Sequence, residues 1–289
     1  MMLGADSSRT LYVPDLDGTL LGTDGRLSAE SARLLNQAIT AGVLFTYATA
    51  RSFSSASRAT EGLQLAMPVI TYGGTMTVSS RDGSPELVRL LDEKPVSLMA
   101  AEFARTPAVE PVWFTFEDGR DWVRWRPDKT TSGLELFLAQ RAGDRRLRPI
   151  TPDDPLDPRG VFYVTVIAEN AVLMALATML SSGPLGTAAH FLTVDPSTPG
   201  LAWLEVHDGA GTKAHAIQRL AARYGAERLV VFGDNHNDVP MFTVADQGFA
   251  VSNAVPELKA VATGVIGHHD TDAVARHITG ALDVAVAER

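Results

Sequence analysis

Cysteine, lysine and long apolar runs are absent or scarce in this sequence, and each absence excludes a class of protein. Without cysteine the chain has no disulfide framework, no thiolate metal site and no cysteine nucleophile. Its longest apolar runs, residues 161–168 and 171–180, are far shorter than the roughly 20 residues that span a bilayer. Because the first residues also lack a basic stretch followed by an apolar run, we expect a cytoplasmic protein with no signal peptide and no membrane partner.

Positive charge is scarce as well. The chain carries 25 basic and 34 acidic side chains, a formal net charge of −9, which argues against nucleic acid as a partner. Only four of the basic residues are lysines, at positions 94, 129, 213 and 259. The expected partner is a small molecule, and the expected assembly is a monomer or a weak homodimer.

The length of 289 residues, with 45% apolar side chains, is enough for two ordinary domains. Short apolar strands alternate with helices at both ends of the chain, which is typical of a parallel sheet covered on both faces. Between them, aromatic strands joined by a glycine turn mix with helices, as in an α+β domain. The sequence predicts an α/β protein with a Rossmann-like core, residues 1–80 and 201–289, and an inserted α+β cap, residues 81–200.

The elements of the two predicted domains are as follows. Core strands are predicted at 11–13, 43–48, 69–72, 229–232, 248–251 and 265–266. Core helices are predicted at 28–39, from 54 onward, and at 213–224, 239–245, 255–262 and 273–278. In the cap, a hairpin is predicted over 112–126, strands at 161–168, 191–194 and 202–206, and helices at 134–140 and 171–180.

Polar residues follow several of the predicted core strands. Asp15 and Asp17 follow the first strand, Thr49 the second, and the segment 233–238 (Gly-Asp-Asn-His-Asn-Asp) a later one. Because ligands bind at the carboxyl ends of strands in open α/β sheets, carboxylates more than 200 residues apart in the sequence are expected to meet there. Like charges that close require a counter-ion, and hard oxygen ligands favour Mg²⁺.

These segments carry a resemblance to a known family. Asp15-Leu16-Asp17-Gly18-Thr19, Thr49-Ala50-Arg51, Lys213 and the 233–238 segment resemble the four motifs of the haloacid dehalogenase superfamily. The place of the inserted segment, and the stretch Val251-Ser252-Asn253-Ala254 with Lys259, resemble its Cof-like, type IIB sugar-phosphatase branch. The resemblance covers essentially the whole chain. It implies a Mg²⁺-dependent phosphatase that hydrolyses a small phosphorylated metabolite, above all a sugar phosphate, through an aspartyl-phosphate.

The resemblance also implies a role for each motif residue. Asp15 is expected to be the nucleophile, and Asp17 the general acid and base. The phosphoryl group is expected to be bound by Thr49, Lys213 and Asn237, and the substrate to be contacted by Arg51, Gly73 and Gly74. The expected metal ligands are Asp15, the carbonyl of Asp17, Asp234 and Asp238. The sequence departs from the family pattern at Pro14, Ala50, Tyr72 and Ala214. These departures bear on which substrate is bound more than on whether the enzyme is active.

Several other interpretations remain open on the sequence alone. Residues 209–214 imitate a dinucleotide-binding fingerprint, but that interpretation leaves Asp15, Asp17 and 237–238 unexplained. A phosphomutase, a nucleotide or cofactor phosphatase and a non-enzymatic binding protein are alternatives on the same fold. His268 and His269 beside Asp270 suggest a metal pair, although a solvated loop is the favoured interpretation.

Overall fold

The computed structural model describes residues 9–182, 188–194, 198 and 200–287. The chain forms two compact units, named here the core unit, residues 1–87 and 212–289, and the inserted unit, residues 88–211. In this described part of the chain, no helix has both the length and the apolar character needed to cross a membrane.

The strands and helices follow one another along the described residues in this order. The strands are β1 (Thr10–Pro14), β2 (Leu44–Phe45), β3 (Val69–Thr71), β4 (Met76–Val78), β5 (Pro85–Val88), β6 (Val112–Glu117), β7 (Arg120–Arg124), β8 (Val161–Glu169), β9 (Ala188–Val194), β10 (Leu201–Asp208), β11 (Arg228–Gly233), β12 (Gln247–Ala250) and β13 (Gly264–Val265). The α-helices are α1 (Ala29–Thr40), α2 (Phe53–Ala59), α3 (Glu93–Arg105), α4 (Ser132–Ala139), α5 (Asn170–Ser182), α6 (Lys213–Tyr224), α7 (Val239–Val244), α8 (Pro256–Val261) and α9 (Ala273–Ala287).

A parallel sheet in the order β13-β12-β11-β1-β2 lies at the centre of the core unit. Its central strands, β1 and β11, pair in register from Thr10 with Arg228 to Pro14 with Phe232. Both strands are buried along almost their whole length, so they lack polar alternation, as strands covered on both faces do. The predicted α/β class with a parallel core sheet is therefore confirmed.

The third predicted core strand contacts the second in parallel, as expected, but it also begins a hairpin that the sequence did not predict. β3 pairs with β4 in an antiparallel register, within a separate sheet of order β3-β4-β5. One parallel bridge, from Ala48 to Ile70, links it to the segment that follows β2. The physical reason is the turn at 72–74, where Tyr72, Gly73 and Gly74 all have positive φ. This turn reverses the chain after only three residues of strand, so the next segment folds back onto β3.

Two helices also differ from the sequence prediction. α3 was not predicted, because Pro95 lies among its first residues. The first turn is the one place where the missing proline N–H has no intrahelical partner to lose. Its buried residues Val96, Met99 and Phe103 nevertheless have helical spacing. α9 begins at Ala273 as predicted but continues nine residues past the predicted end at 278, through Gly280, to Ala287.

The inserted unit is built on an antiparallel sheet in the order β7-β6-β8-β10-β9. Apolar side chains of α3 and α5 pack on this sheet, including Phe103 and Leu173 against Val164 and Leu204. Arg124 is fully buried, and its guanidinium donates to the carbonyls of Arg148 at 3.0 Å and Asp154 at 2.9 Å. A buried cation satisfied in this way holds the loop after the hairpin in one place.

Candidate active site

The candidate active site lies at the carboxyl ends of the two central strands of the core unit. Asp15 comes directly after β1, and its backbone N–H donates to the carbonyl of Phe232 in β11 at 2.9 Å. Asp234 comes directly after β11, so the two acidic residues follow neighbouring parallel strands at the same edge. This topology brings together residues that are 219 positions apart in the sequence.

A buried lysine joins two of the carboxylates. The Nζ of Lys213, the first residue of α6, donates to Asp15 Oδ1 and to Asp238 Oδ1, at 2.6 Å each. The side chains of Lys213, Asp15 and Asp238 are 3%, 9% and 0% exposed, so the three charges are nearly removed from water. Burial opposes the charge of Lys213, but Asp15 and Asp238 outweigh it and raise the lysine's pKa. The ammonium therefore stays charged.

The carboxylates of Asp15, Asp234 and Asp238 form a group whose oxygens lie within 4.8 Å of one another. Burial raises the pKa of Asp15 well above its ordinary value, against the opposing effect of Lys213, and the neighbouring carboxylates raise it further. Burial and the charge of Asp238 raise the pKa of Asp234 to about 7. One ammonium cannot balance three clustered carboxylates, two of which are buried, and this excess of negative oxygen ligands fits a hard divalent cation.

The turn at 236–238 places Asp238. Its Oδ2 accepts from the backbone N–H groups of Asp234 at 3.0 Å and Asn235 at 3.2 Å. The side chain of Asn235 accepts from the His236 N–H at 2.8 Å. It also accepts from the Asp238 N–H, which together with the bond from the Asn235 N–H to Asp238 forms a capping box. His236 is exposed and Asn237 half-buried. Both oxygens of Asp238 are thus engaged in holding Lys213 and the turn.

Asp17 lies apart from the three clustered carboxylates. Its side chain is 55% exposed and accepts two hydrogen bonds from the guanidinium of Arg51. Nε donates to Oδ2 at 2.8 Å, and Nη2 donates to Oδ1 at 2.5 Å. Between Asp15 and Asp17 the strand gives way to a tight turn, in which Gly18 has φ +70°. A Cβ at Gly18 would lie 2.5 Å from Asp234 Oδ2, so only glycine allows Asp234 to approach the turn.

Thr49 and the turn at 72–74 lie on the other side of Asp15. Thr49 is buried, its Oγ1 accepts from the Arg51 N–H at 3.1 Å, and its carbonyl accepts from the Gly73 N–H at 2.9 Å. A Cβ at Gly74 would lie 2.1 Å from the carbonyl carbon of Thr212. The structure therefore gives Gly74 a packing role, since it admits the start of α6 and with it Lys213.

Two sets of contacts around the site were not found from the sequence. Asn253, noted only as part of a family stretch, donates from Nδ2 to the carbonyl of Gly18 at 2.7 Å. His268, His269 and Asp270 lie close enough together to hold a metal. However, Asp270 accepts from the N–H and hydroxyl of Thr23, and His269 Nδ1 bonds the Leu21 carbonyl. No motif marks these contacts, because they join segments about 230 to 250 residues apart.

Comparison with known proteins places the chain in a family. A sequence profile described as haloacid dehalogenase-like hydrolase matches residues 12–127 and 188–278. The 5-amino-6-(5-phospho-D-ribitylamino)uracil phosphatase YitU of Bacillus subtilis is 24% identical over 93% of this chain and 96% of its own. The HMP-PP phosphatase of Cronobacter sakazakii is 28% identical over 93% of this chain and 94% of its own.

Solved structures show the same fold. TM0651 from Thermotoga maritima superposes with a TM-score of 0.73 at 20% identity, over 93% of this chain and 96% of that one. The subclass IIB sugar phosphatase BT4131 superposes with a TM-score of 0.70 at 18% identity, over 94% and 98%. The predicted resemblance and the predicted enzyme class, a phosphoric monoester hydrolase, are confirmed by these matches. The chain belongs to the haloacid dehalogenase-like hydrolase family.

Proposed function

We propose that this hydrolase removes the phosphoryl group of a small phosphorylated metabolite, a sugar phosphate in the first place, through an aspartyl-phosphate at Asp15. The observation that carries the proposal is the buried Asp15 carboxylate, held 2.6 Å from the Lys213 ammonium and grouped with Asp234 and Asp238. Membership in the family and the phosphatases among the relatives support the coarser statement of a phosphatase. The nucleophile, the metal and the substrate class are the proposed part.

The proposed nucleophile is the second oxygen of Asp15. In the described part of the chain, hydrogen bonds to the Asp15 carboxylate come from Lys213 and go to Oδ1, which leaves Oδ2 for attack on phosphorus. The attack forms an O–P bond to Asp15 and breaks the P–O bond to the leaving alcohol, and water then hydrolyses the aspartyl-phosphate. Lys213 fixes the carboxylate and stabilises the negative charge of the transition state.

Asp17 is the proposed general acid and base. In the structure its carboxylate accepts two hydrogen bonds from the Arg51 guanidinium. To protonate the leaving oxygen it must leave this pair and take up a proton, and it then deprotonates the attacking water. The freed Arg51 guanidinium is the proposed contact to the substrate, alongside Thr49, Gly73, Gly74 and Asn237, the further residues proposed for the phosphoryl group and substrate.

Mg²⁺ is the proposed metal, and the residues present fit it. Asp15, Asp234 and Asp238 supply clustered carboxylate oxygens, and the carbonyl of Asp17 is the proposed fourth protein ligand. Asp238 stays in this set although both its oxygens accept hydrogen bonds, since each carboxylate oxygen has two lone pairs. When bound, the metal supplies the positive charge that stabilises the transferring phosphoryl group.

The charges of the site support a requirement for the metal. Lys213 is one positive charge among three clustered carboxylates, so without a cation the site repels a phosphate. The chain as a whole carries −9 and offers no general attraction for an anion. Binding of the phosphoester therefore depends on the metal and on Arg51, both of which act locally.

The names of the relatives favour a second candidate, a nucleotide or cofactor phosphatase. YitU is named for a phosphoribityl substrate, the Cronobacter protein for HMP-PP, and YbhA of Escherichia coli, 35% identical over 26% of this chain, for pyridoxal phosphate. We propose that the inserted segment, expected at 81–200, selects among such substrates. A screen of sugar phosphates, nucleotides and phosphorylated cofactors distinguishes the two candidates by kcat/KM.

Two experiments test the proposed chemistry, and the first has a matched control variant. The Asp15→Asn variant should lose turnover of p-nitrophenyl phosphate. The matched variant Asp24→Asn, at an exposed carboxylate that accepts from the Arg26 N–H, should keep it. EDTA should abolish turnover, and Mg²⁺ should restore it. Activity that persists in Asp15→Asn, or in EDTA, would contradict the proposed mechanism.

A further inference from the structure

The hydrogen bonds within the turn that carries Asp17 do not fix its backbone conformation. Asp17 has ψ 126° and Gly18 has φ +70°, neither of which is helical, so regular i to i−4 hydrogen bonds do not form across them. The turn is closed by a hydrogen bond from the Leu21 N–H to the Leu16 carbonyl at 2.9 Å. This bond spans Asp17 and Gly18 but does not involve the backbone groups of either residue. The conformation at Asp17 and Gly18 therefore depends on contacts from other parts of the core unit.

Residues near the C-terminus supply such contacts. Asn253 Nδ2 donates to the Gly18 carbonyl, and His269 Nδ1 bonds the Leu21 carbonyl, both at 2.7 Å. Asp270 accepts from the Thr23 N–H at 2.8 Å and from its hydroxyl at 2.7 Å. The turn is thus held at three successive points, at residues 18, 21 and 23.

The contacts from Asn253 and His269 are coupled. The backbone N–H of His269 donates to Asn253 Oδ1 at 3.2 Å. This bond requires the Asn253 oxygen to face His269 and its nitrogen to face Gly18, so the amide has one orientation. Because the Leu21 carbonyl is only an acceptor, Nδ1 of His269 is the donor in this hydrogen bond. His269 therefore acts twice, directly on Leu21 and through Asn253 on Gly18.

We propose that His269 and Asn253 are positioning residues that set the orientation of Asp17, the general acid and base of the proposed function. Asn253 holds the carbonyl of Gly18, the residue that directly follows Asp17 and has no side chain to restrict its backbone. Asn253 is exposed, while His269 is only 12% exposed. The inference rests on the proposed function, because it assigns these residues an effect on proton transfer and not on the nucleophile.

Substitutions at His269 separate positioning from simple stability. Asn at this position offers an N–H donor at the place of the imidazole Nδ1, whereas Gln places its donor one bond further along. We expect His269→Ala and His269→Gln to be impaired and His269→Asn to be rescued. Asn253→Ala should resemble His269→Ala, and the double variant should lose little more, because the two act as one unit. The matched control is His268→Asn, which keeps an acceptor for the Asp270 N–H and should behave as the wild type.

The readout is the dependence of kcat/KM on the leaving group. An alkyl phosphate requires the acid to protonate its leaving oxygen, whereas p-nitrophenolate leaves without help. We expect His269→Ala and Asn253→Ala to lower kcat/KM about 10- to 100-fold for an alkyl phosphate and less than about threefold for p-nitrophenyl phosphate. A purely structural role would lower both values equally, with no difference between the Asn and Gln variants, and that result would overturn the proposal. Failure of the wild type to hydrolyse either ester would instead refute the proposed function.

Discussion

Removal of the Lys213 ammonium is the perturbation whose effect follows most directly from the structure. In Lys213→Met the side chain keeps a similar length, but Asp15, Asp234 and Asp238 lose their buried counter-charge. At 2.6 Å, with an effective dielectric constant of about 20, each of the two contacts is an attraction of about 6 kcal/mol. Desolvation of the ions offsets much of this attraction, and removing one partner of a buried pair typically costs about 3–5 kcal/mol.

The expected loss of stability lies at the lower end of that range. Burial has already raised the pKa of Asp15 and Asp234, so the orphaned carboxylates can take up protons and relieve part of the repulsion. A loss of about 3 kcal/mol lowers the melting temperature by roughly 6–12 °C in a unit of this size. In the active enzyme, loss of the charge should lower kcat about 10²- to 10³-fold.

The assay is thermal unfolding in EDTA and in excess Mg²⁺, with Lys259→Met as the matched control. Lys259 is partly exposed and donates to the Ser252 carbonyl, so its loss should change the melting temperature only slightly. Mg²⁺ should stabilise Lys213→Met more than the wild type, because the metal becomes the only cation among the carboxylates. A Lys213→Met variant as stable in EDTA as the control would refute the electrostatic account of the site.

Three further predictions concern other parts of the core unit. Gly74→Ala should displace the start of α6 and lower kcat, because its Cβ would lie 2.1 Å from the Thr212 backbone. The control is Gly42→Ala, at a position with φ +98° and open space around the added Cβ, which should lose stability without a comparable loss of kcat. Arg51→Ala should raise KM for an alkyl phosphate about tenfold. Because the pair of Arg51 with Asp17 is partly exposed, the free energy of unfolding should change by less than about 1 kcal/mol. An unchanged KM would show that Arg51 does not bind the substrate. Burial between Phe232 and Phe249 lowers the pKa of His277 below its ordinary 6.5, so protonation opposes folding and stability should fall as the pH drops below that value. His277→Phe should show a smaller drop in melting temperature between pH 7.5 and 5.5, and an identical drop in both proteins would contradict this assignment.

The sequence predicted the parts of the fold that local patterns control. The sequence pattern predicted the apolar strands before Asp15 and Asp234 and the helix that begins at Lys213. The antiparallel pairing of β3 with β4 was not predicted, because the sequence pattern does not show which strands become neighbours. Three residues with positive φ at 72–74 redirect the chain, and only the two glycines signal that conformation.

In the candidate site, too, local patterns were predicted from the sequence and long-range side-chain contacts were not. The sequence predicted that the carboxylates of Asp15, Asp17, Asp234 and Asp238 meet, and the family resemblance added Lys213. The structure brings Asp15, Asp234 and Asp238 together with Lys213 and leaves the Asp17 carboxylate outside this group. The roles of these residues remain predictions. The pair of Asp17 with Arg51, and the hold of Asn253 and His269 on the turn, depend on side-chain directions that spacing does not encode. Such contacts become visible only when the segments are in place.

Direct capture of the phosphorylated enzyme tests the central claim, that Asp15 forms a covalent bond to phosphorus. The protein is mixed with a phosphoester and Mg²⁺, quenched within a single turnover and reduced with borohydride, which converts an aspartyl-phosphate into homoserine. The account predicts homoserine at position 15, dependent on substrate and absent in Asp15→Asn. Hydrolysis that proceeds with an unmodified Asp15, or a phosphoryl group trapped on another residue, would contradict it.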